Sequence, residues 1–344
     1  MNLLKTLFLI CIVYSARAQV GGKSSFAALN LPFNARSAAL GNDFISSRDE
    51  DINLAIQNPS LYNASMDRML GVNQAFLASG INYGMLTYGR KYTDQLSGGF
   101  SLRYVNYGNM ERTNDAGVSE GRFYAGDFIL GSGISKQLNP LISVGANLNL
   151  IYSQLESYSS FGMAVDLAGV YELKEKNLVV TALVKNAGYQ LKPYIKGQRA
   201  QLPAEFQFAI AHKVKHAPFR FTLLMHHLNT FDLTYVEPDL GPTIDALTGD
   251  TIPVQLPGVG EKIFRHLTYQ VELIFSKNFH LRTAFDYHLR QEMKVAERPG
   301  ISGFSFGIGM KFKRFSLDYG LVAYSAAGFN NQVTLNVNLG QFRK

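Results

Sequence analysis

Residues 141–153 read LISVGANLNLIYS, and their alternation decides the fold. Ile142, Val144, Ala146, Leu148, Leu150 and Tyr152 share one face of an extended strand, while Ser143, Gly145, Asn147, Asn149 and Ser153 make up most of the other. Strict alternation means a strand with two different environments. In a soluble sheet the polar face meets bulk water, where charged side chains gather. Here that face is small and uncharged, which predicts hydrocarbon on one side and a narrow polar lumen on the other.

The same pattern recurs along the chain. LSGGFSLRY (96–104) sets Leu96, Phe100, Leu102 and Tyr104 against Ser97, Gly99, Ser101 and Arg103; FGMAVDLAGVY (161–171) and FSFGIGMKF (304–312) behave likewise. Counting alternating segments between turn signals gives about fourteen strands, with no competing helical period. The connections sort by parity. Even-to-odd turns are short, as in KQLNP, SKN and KR, whereas odd-to-even ones include long stretches at 106–122, 186–203 and 229–265; only ASG at 78–80 is tight among them. A sandwich has no reason to sort its loops in this way, while an outer-membrane barrel alternates short periplasmic turns with longer external loops. Only closure into a barrel satisfies strand backbones in lipid. The fold class read from the sequence is all-β, a transmembrane outer-membrane β-barrel of about 14 antiparallel strands.

Composition agrees. Among 344 residues, Gly (31), Phe (24) and Tyr (18) are plentiful, and the charged fraction is 17%, below the usual quarter. The balance of 33 basic against 26 acidic residues is too weak to suggest a nucleic-acid partner. MNLLKTLFLICIVYSARA (1–18) has a basic start, an apolar run and an A-x-A end, the pattern of a signal peptide. The only cysteine, Cys11, leaves with it. The reading therefore divides the chain into a signal peptide (1–18), an N-terminal segment (19–67) and a barrel (68–344). The N-terminal segment breaks the alternation: LPFNARSAALG has helical spacing and a glycine stop at Gly41, and an Asn58-Pro59 turn follows. Fourteen strands enclose more space than side chains fill, so this segment is expected inside as a plug.

FAALNLPFNARSAALGNDFISSRDEDINLAIQNPSLYN is similar to the N-terminal signature of FadL-like outer-membrane barrels of Bacteroidota, with Gly41, Asn58 and Pro59 in the plug motif. YVNYGNMERTNDAGVSEGRFYAGDFIL resembles, more narrowly, the PorQ family of the type IX secretion system. Asn42 and Ser60 depart from that pattern, where a second glycine and an alanine are common. The resemblance implies a non-enzymatic member of the attachment complex that anchors a PorZ-like surface protein alongside PorU and PorV, for attachment of cargo to lipopolysaccharide. The other expectation is a FadL-like transporter of hydrophobic small molecules. Inferred lumen positions are mostly small, polar or charged, which favours the anchor.

No catalytic, cofactor or metal residue is assigned. G-x-S-x-G, H-E-x-x-H and phosphate-loop patterns are absent from the sequence. His226 and His227 are adjacent, so in a strand they point to opposite faces. Glu237, Asp239, Asp245 and Asp250 read as a solvated loop rather than a calcium site. The inward charges Arg103, Asp166, Lys185, Glu205, Arg220, Glu272, Arg282 and Asp286 are expected to pair with the plug. On the external loops, Tyr189, Tyr194, Phe231, Tyr235, Leu240, Leu256 and Phe264 are the expected partner-binding residues, because exposed apolar groups in such number mark interaction surfaces.

Loop parity places both termini in the periplasm. Leu148 is expected near the bilayer centre and intolerant of arginine, and Asn147 is expected to tolerate it. A cysteine placed at Asn114 should react with an impermeant maleimide on whole cells and one at Lys277 should not; the reverse labelling would invert the topology.

Overall fold

The computed structural model describes residues 24–77, 80–235, 243–244, 251–252, 256–294, 300–325 and 328–342. Fourteen antiparallel strands close on themselves: β1 Met69–Phe76, β2 Asn82–Lys91, β3 Leu96–Thr113, β4 Ser119–Gln137, β5 Ile142–Leu155, β6 Tyr158–Leu173, β7 Leu178–Lys192, β8 Glu205–Lys213, β9 Phe219–Met225, β10 Leu267–Ile274, β11 Phe279–Asp286, β12 Phe304–Lys311, β13 Phe315–Ser325 and β14 Gly328–Asn338. Each strand pairs with its neighbours in sequence order, and β14 pairs with β1 from Met69 opposite Asn338 to Phe76 opposite Asn331. No edge is left unpaired, as hydrocarbon requires. The fourteen strands agree with the count expected from the alternation.

The opening stretch behaves as its pattern predicts. Along β5 Val144, Leu148 and Tyr152 face outward at 39–42% exposure, and Ser143, Asn147, Asn149 and Ser153 are buried. The short connections lie at the end that holds the start of β1 and the end of β14; this is the terminal end, and the opposite one is the loop end.

The chain reaches the lumen from the loop end. Ser25 donates its backbone N–H to the Gln201 carbonyl in the β7–β8 connection (2.9 Å). The segment then runs inside the wall to β1, carrying two short helices, α1 Ala35–Ala39 and α2 Ile52–Gln57. Asn34 caps α1 by accepting from the Ser37 N–H, and Gly41 ends it at φ +80°. A side chain at Gly41 would be strained there and would strike Thr268 at 2.6 Å. Between α1 and the wall, Gly307 and Gly320 make room: a Cβ on Gly320 would lie 2.4 Å from the Ala35 carbonyl oxygen. Small residues on both sides let backbone approach backbone.

Several expectations need correction. Residues 106–122 are mostly strand, because β3 and β4 hold 18 and 19 residues against the roughly 9 to 11 that cross a bilayer; pairing continues past the lipid wherever both strands keep partners. Likewise β7 runs to Lys192, past a bulge at Asn186 (φ +57°), and takes Tyr189 out of the expected loop. The described chain does not start at the terminal end, where both termini are expected, since Ser24 and Ser25 sit at the loop end. Asn147 is not a free lumen residue either: its amide donates to the Ile56 carbonyl (2.8 Å). The expected signal peptide, the plug's first residues, Leu240 and the acidic loop positions 237, 239, 245 and 250 lie outside the described residues.

Leu148→Arg should lower barrel stability by ~2–4 kcal/mol, read as loss of heat-modifiable barrel in outer-membrane fractions. Asn147→Ala should leave the barrel intact and make the N-terminal segment easier to cleave by protease. Equal loss of barrel from both would mean that the two faces of β5 have been misassigned.

Candidate functional site

The lumen has two halves of different character; residues 24–67 enter both, and a cavity of about 660 Å³ remains in the terminal half, lined by Arg36, Asp49, Arg220, Glu272, Arg282 and Asp318 among others. In the terminal half Glu272, fully buried on β10, receives three guanidinium groups: Arg36 at 3.0 Å, Arg220 at 2.6 Å and Arg282 at 3.1 Å. Arg36 also reaches Asp49 (2.7 Å), and Arg282 reaches Asp318. Charges removed from water need such compensation, and removal of one member of a buried set costs roughly 3–5 kcal/mol. Above this network Lys185 binds Asp43 (2.9 Å), and the amide of Gln270 donates to the Leu40 and Asp43 carbonyls at 2.7 and 2.6 Å. Asn53 is a hub on α2. It donates to Asn336 (2.7 Å) and accepts from Asn73 (2.8 Å) and Thr87 (2.9 Å), joining three strands. Asn58 donates to the Ile45 carbonyl (2.6 Å), and the Pro59 backbone lies against Gly145. Gly41, Asn58 and Pro59 thus all sit at contacts that fix the path of the segment.

The loop half holds an apolar cluster beside the buried polar groups Asp127, Gln190 and Glu205. Phe26, Leu29 and Phe33 of the segment pack in one cluster with Met85, Val105, Ile129, Ile151, Ala164 and Leu202 of the wall and the β7–β8 connection. This greasy zone was not expected, since the alternation assigns polar residues inward. Its signal was present: Phe128-Ile129-Leu130 and Leu150-Ile151-Tyr152 are apolar triplets in otherwise alternating strands, so the inward member is apolar too. A cavity of about 20 Å³ adjoins Phe33, lined by Leu29, Met85, Arg103 and Asp166 among others. An aromatic ring needs a cavity on the order of 150 Å³, so the site is occupied by the protein's own side chains.

The inward charges divide. Lys185, Arg220, Glu272 and Arg282 pair with the segment or around Arg36. Asp166 instead accepts from Asn149 and the Asn186 N–H within the wall, Asp286 caps the helix Tyr287–Met293 (α4, after α3 Val259–Phe264), and Arg103 lies over the Phe33 ring at 5.6 Å.

At the rim of the loop end, His226 and His227 are not in a strand. The last residue of β9 is Met225, and His227 adopts φ +54°, which turns both rings to one side. Their Nδ1 atoms lie 2.8 Å apart, and His227 Nδ1 is 3.4 Å from Glu205 Oε1. The expectation of opposite faces fails because the strand ends one residue too early for it. Burial, reinforced by His227, pushes the His226 imidazole down to about 3, and burial pushes His288 down to about 4. Both rings are neutral, and each keeps a lone pair.

Among the expected loop residues, Tyr189, Phe231, Tyr235, Leu256 and Phe264 are exposed, by 49–71%. Tyr194 is turned inward: its hydroxyl donates to Ser153 (2.6 Å) and its ring lies 6.5 Å from Phe26. Phe264 ends α3 and meets Tyr287 at 5.8 Å.

Solved structures similar in fold include hydrocarbon channels. The Pseudomonas putida toluene transporter TodX matches with a TM-score of 0.50 and 13% identity over 89% of this chain and 97% of that one. The CymD monoaromatic hydrocarbon channel gives 0.52 and 13% over 90% and 97%. The Ralstonia pickettii toluene transporter TbuX gives 0.51 and 11% over 90% and 97%. At such identities the likeness is one of fold. No family model and no curated protein matches the sequence.

Glu272→Ala should leave Arg36, Arg220 and Arg282 without their shared counter-charge and release the terminal half of the segment. The expected outcome is a barrel that still migrates as heat-modifiable but is cut by trypsin at Arg36 or Arg48 in detergent. Wild-type resistance would show that the segment is held by other contacts.

Proposed function

We propose that the chain is a non-enzymatic outer-membrane barrel whose N-terminal segment (19–67) acts as a plug in the barrel (68–344), and that it passes hydrophobic small molecules in the manner of FadL-like channels. The observation that carries this reading is the apolar cluster in the loop half of the lumen, where Phe26, Leu29 and Phe33 occupy a site walled by Met85, Val105, Ile129 and Ile151. The fold shared with monoaromatic hydrocarbon channels supports it. An apolar ligand arriving through the external loops would take the place of one of these side chains. Each contributes roughly 1.5–3 kcal/mol by burial, so a small aromatic can displace one ring but not the whole segment. Passage then requires movement of the segment, and the ionic half resists it.

A second reading is favoured by the exposed Phe231, Tyr235, Leu256 and Phe264 at the loop end, which transport does not need, and by the N-terminal resemblance to the PorQ family. On this reading the barrel is a sealed anchor for a PorZ-like surface protein of the type IX attachment complex, in the company of PorU and PorV. The segment held inside the lumen is compatible with such a role.

Toluene binding to the purified, refolded protein distinguishes them. Under the transport reading binding is saturable and becomes tighter in Phe33→Ala, which vacates a ring-sized site; no saturable binding in either protein would overturn it. The anchor reading expects recovery of a PorZ-like protein when the barrel is pulled from outer membranes, and loss of it when the exposed aromatics are replaced by serine. Repeated absence would count against the anchor.

A further inference from the structure

Neither function uses the histidine cluster at the loop end. Glu205 opens β8, while His226 and His227 follow β9, so the cluster closes the gap where those strands part. Glu205 and His226 are 5% and 6% exposed, and one donor atom from each of Glu205, His226 and His227 lies within 4.8 Å of the others. Among the described residues no other such group occurs. His226 Nδ1 faces His227 Nδ1, while His226 Nε2 and His288 Nδ1 are buried with no hydrogen-bond partner. The His288 ring lies 6.2 and 6.1 Å from those of His226 and His227. His266 is not part of the donor set, because its two nitrogens face the carbonyls of His226 (2.8 Å) and Phe231 (3.1 Å).

We propose that Glu205, His226 and His227 bind one divalent transition-metal ion of the zinc class, with the fourth position of a tetrahedral set left to water. Two imidazoles and a carboxylate are a recognised zinc donor set, and imidazole suits zinc, copper or nickel over calcium. Zinc–nitrogen bonds of ~2.0–2.1 Å in tetrahedral geometry separate the nitrogens by about 3.3 Å. The Nδ1 atoms of His226 and His227 therefore need to part by only about half an ångström from 2.8 Å, while the 3.4 Å between His227 and Glu205 already fits. The metal takes the place of the proton shared between the two rings. Outer contacts are in place as well: Gln207 donates to Glu205 Oε1 (2.8 Å) and to Asp43 (2.9 Å), a carboxylate orientation of the kind metal sites rely on. The ion would clamp the start of the long β9–β10 connection to β8.

The test is zinc retention by the purified full-length barrel after zinc loading and dialysis, with heat-modifiable migration as the folding control. The wild type should keep about one zinc per chain, and a His226→Ala/His227→Ala double variant should keep none. His227→Gln is a milder second variant, since the His227 side chain is 40% exposed, and it should lose most of the affinity. Gln207→Ala should bind ~10–100-fold more weakly. Cobalt in place of zinc should give the visible bands of tetrahedral coordination in the wild type alone. Equal zinc content in wild type and double variant, whether none or one, overturns the proposal.

Discussion

A fourteen-stranded ring in hydrocarbon has every backbone group paired along its ladders, yet its interior is wider than inward side chains can fill. That excess volume has to be taken up by water or by protein. Here residues 24–67 take up part of it and leave a cavity of about 660 Å³ in the terminal half, and the interaction on which the rest depends is the meeting of Glu272 with Arg36, Arg220 and Arg282. Arg36 lies on the segment and the other two on the wall. One carboxylate thus joins the filling to the barrel where both are buried, and neither side is stable there alone. The polar hub at Asn53 and the close backbone contacts at Gly307 and Gly320 fix what the charges hold.

The division of the lumen follows from this arrangement. Ionic contacts crowd the terminal half, where the segment turns into β1. In the loop half the segment is held by apolar burial, with Phe26, Leu29 and Phe33 against the wall. Charge networks are rigid and geometrically demanding, whereas apolar contacts can be exchanged for other apolar groups. A ligand reaching the lumen from the loops therefore meets the exchangeable half first. The same organisation serves a sealed anchor, in which the loop half simply completes the packing beneath the external surface.

The barrel was legible in the sequence because alternation has period two and lipid enforces it on every strand; even the short β12 was read from FSFGIGMKF. Strand ends were less legible. β3, β4 and β7 continue beyond the membrane, where side chains of any polarity are tolerated and the pattern fades. The segment's helix stop at Gly41 was readable from local chemistry, but its partners Glu272 and Arg220 lie more than 170 residues away, and no local pattern encodes such pairing. The apolar zone was hidden in the triplets around Ile129 and Ile151, which a two-sided reading counts as noise. The histidine pair was misjudged because its geometry depends on one residue, His227, adopting a left-handed conformation just past the strand.

The central claim is that residues 24–67 close the lumen. It is tested most directly by ionic conductance in planar bilayers, comparing the intact protein with a variant lacking that segment, both checked for heat-modifiable barrel. The account predicts a nearly silent intact protein and a wide, steadily conducting pore after the deletion. Equal conductance from the two would contradict it, because the segment could not then be what closes the barrel.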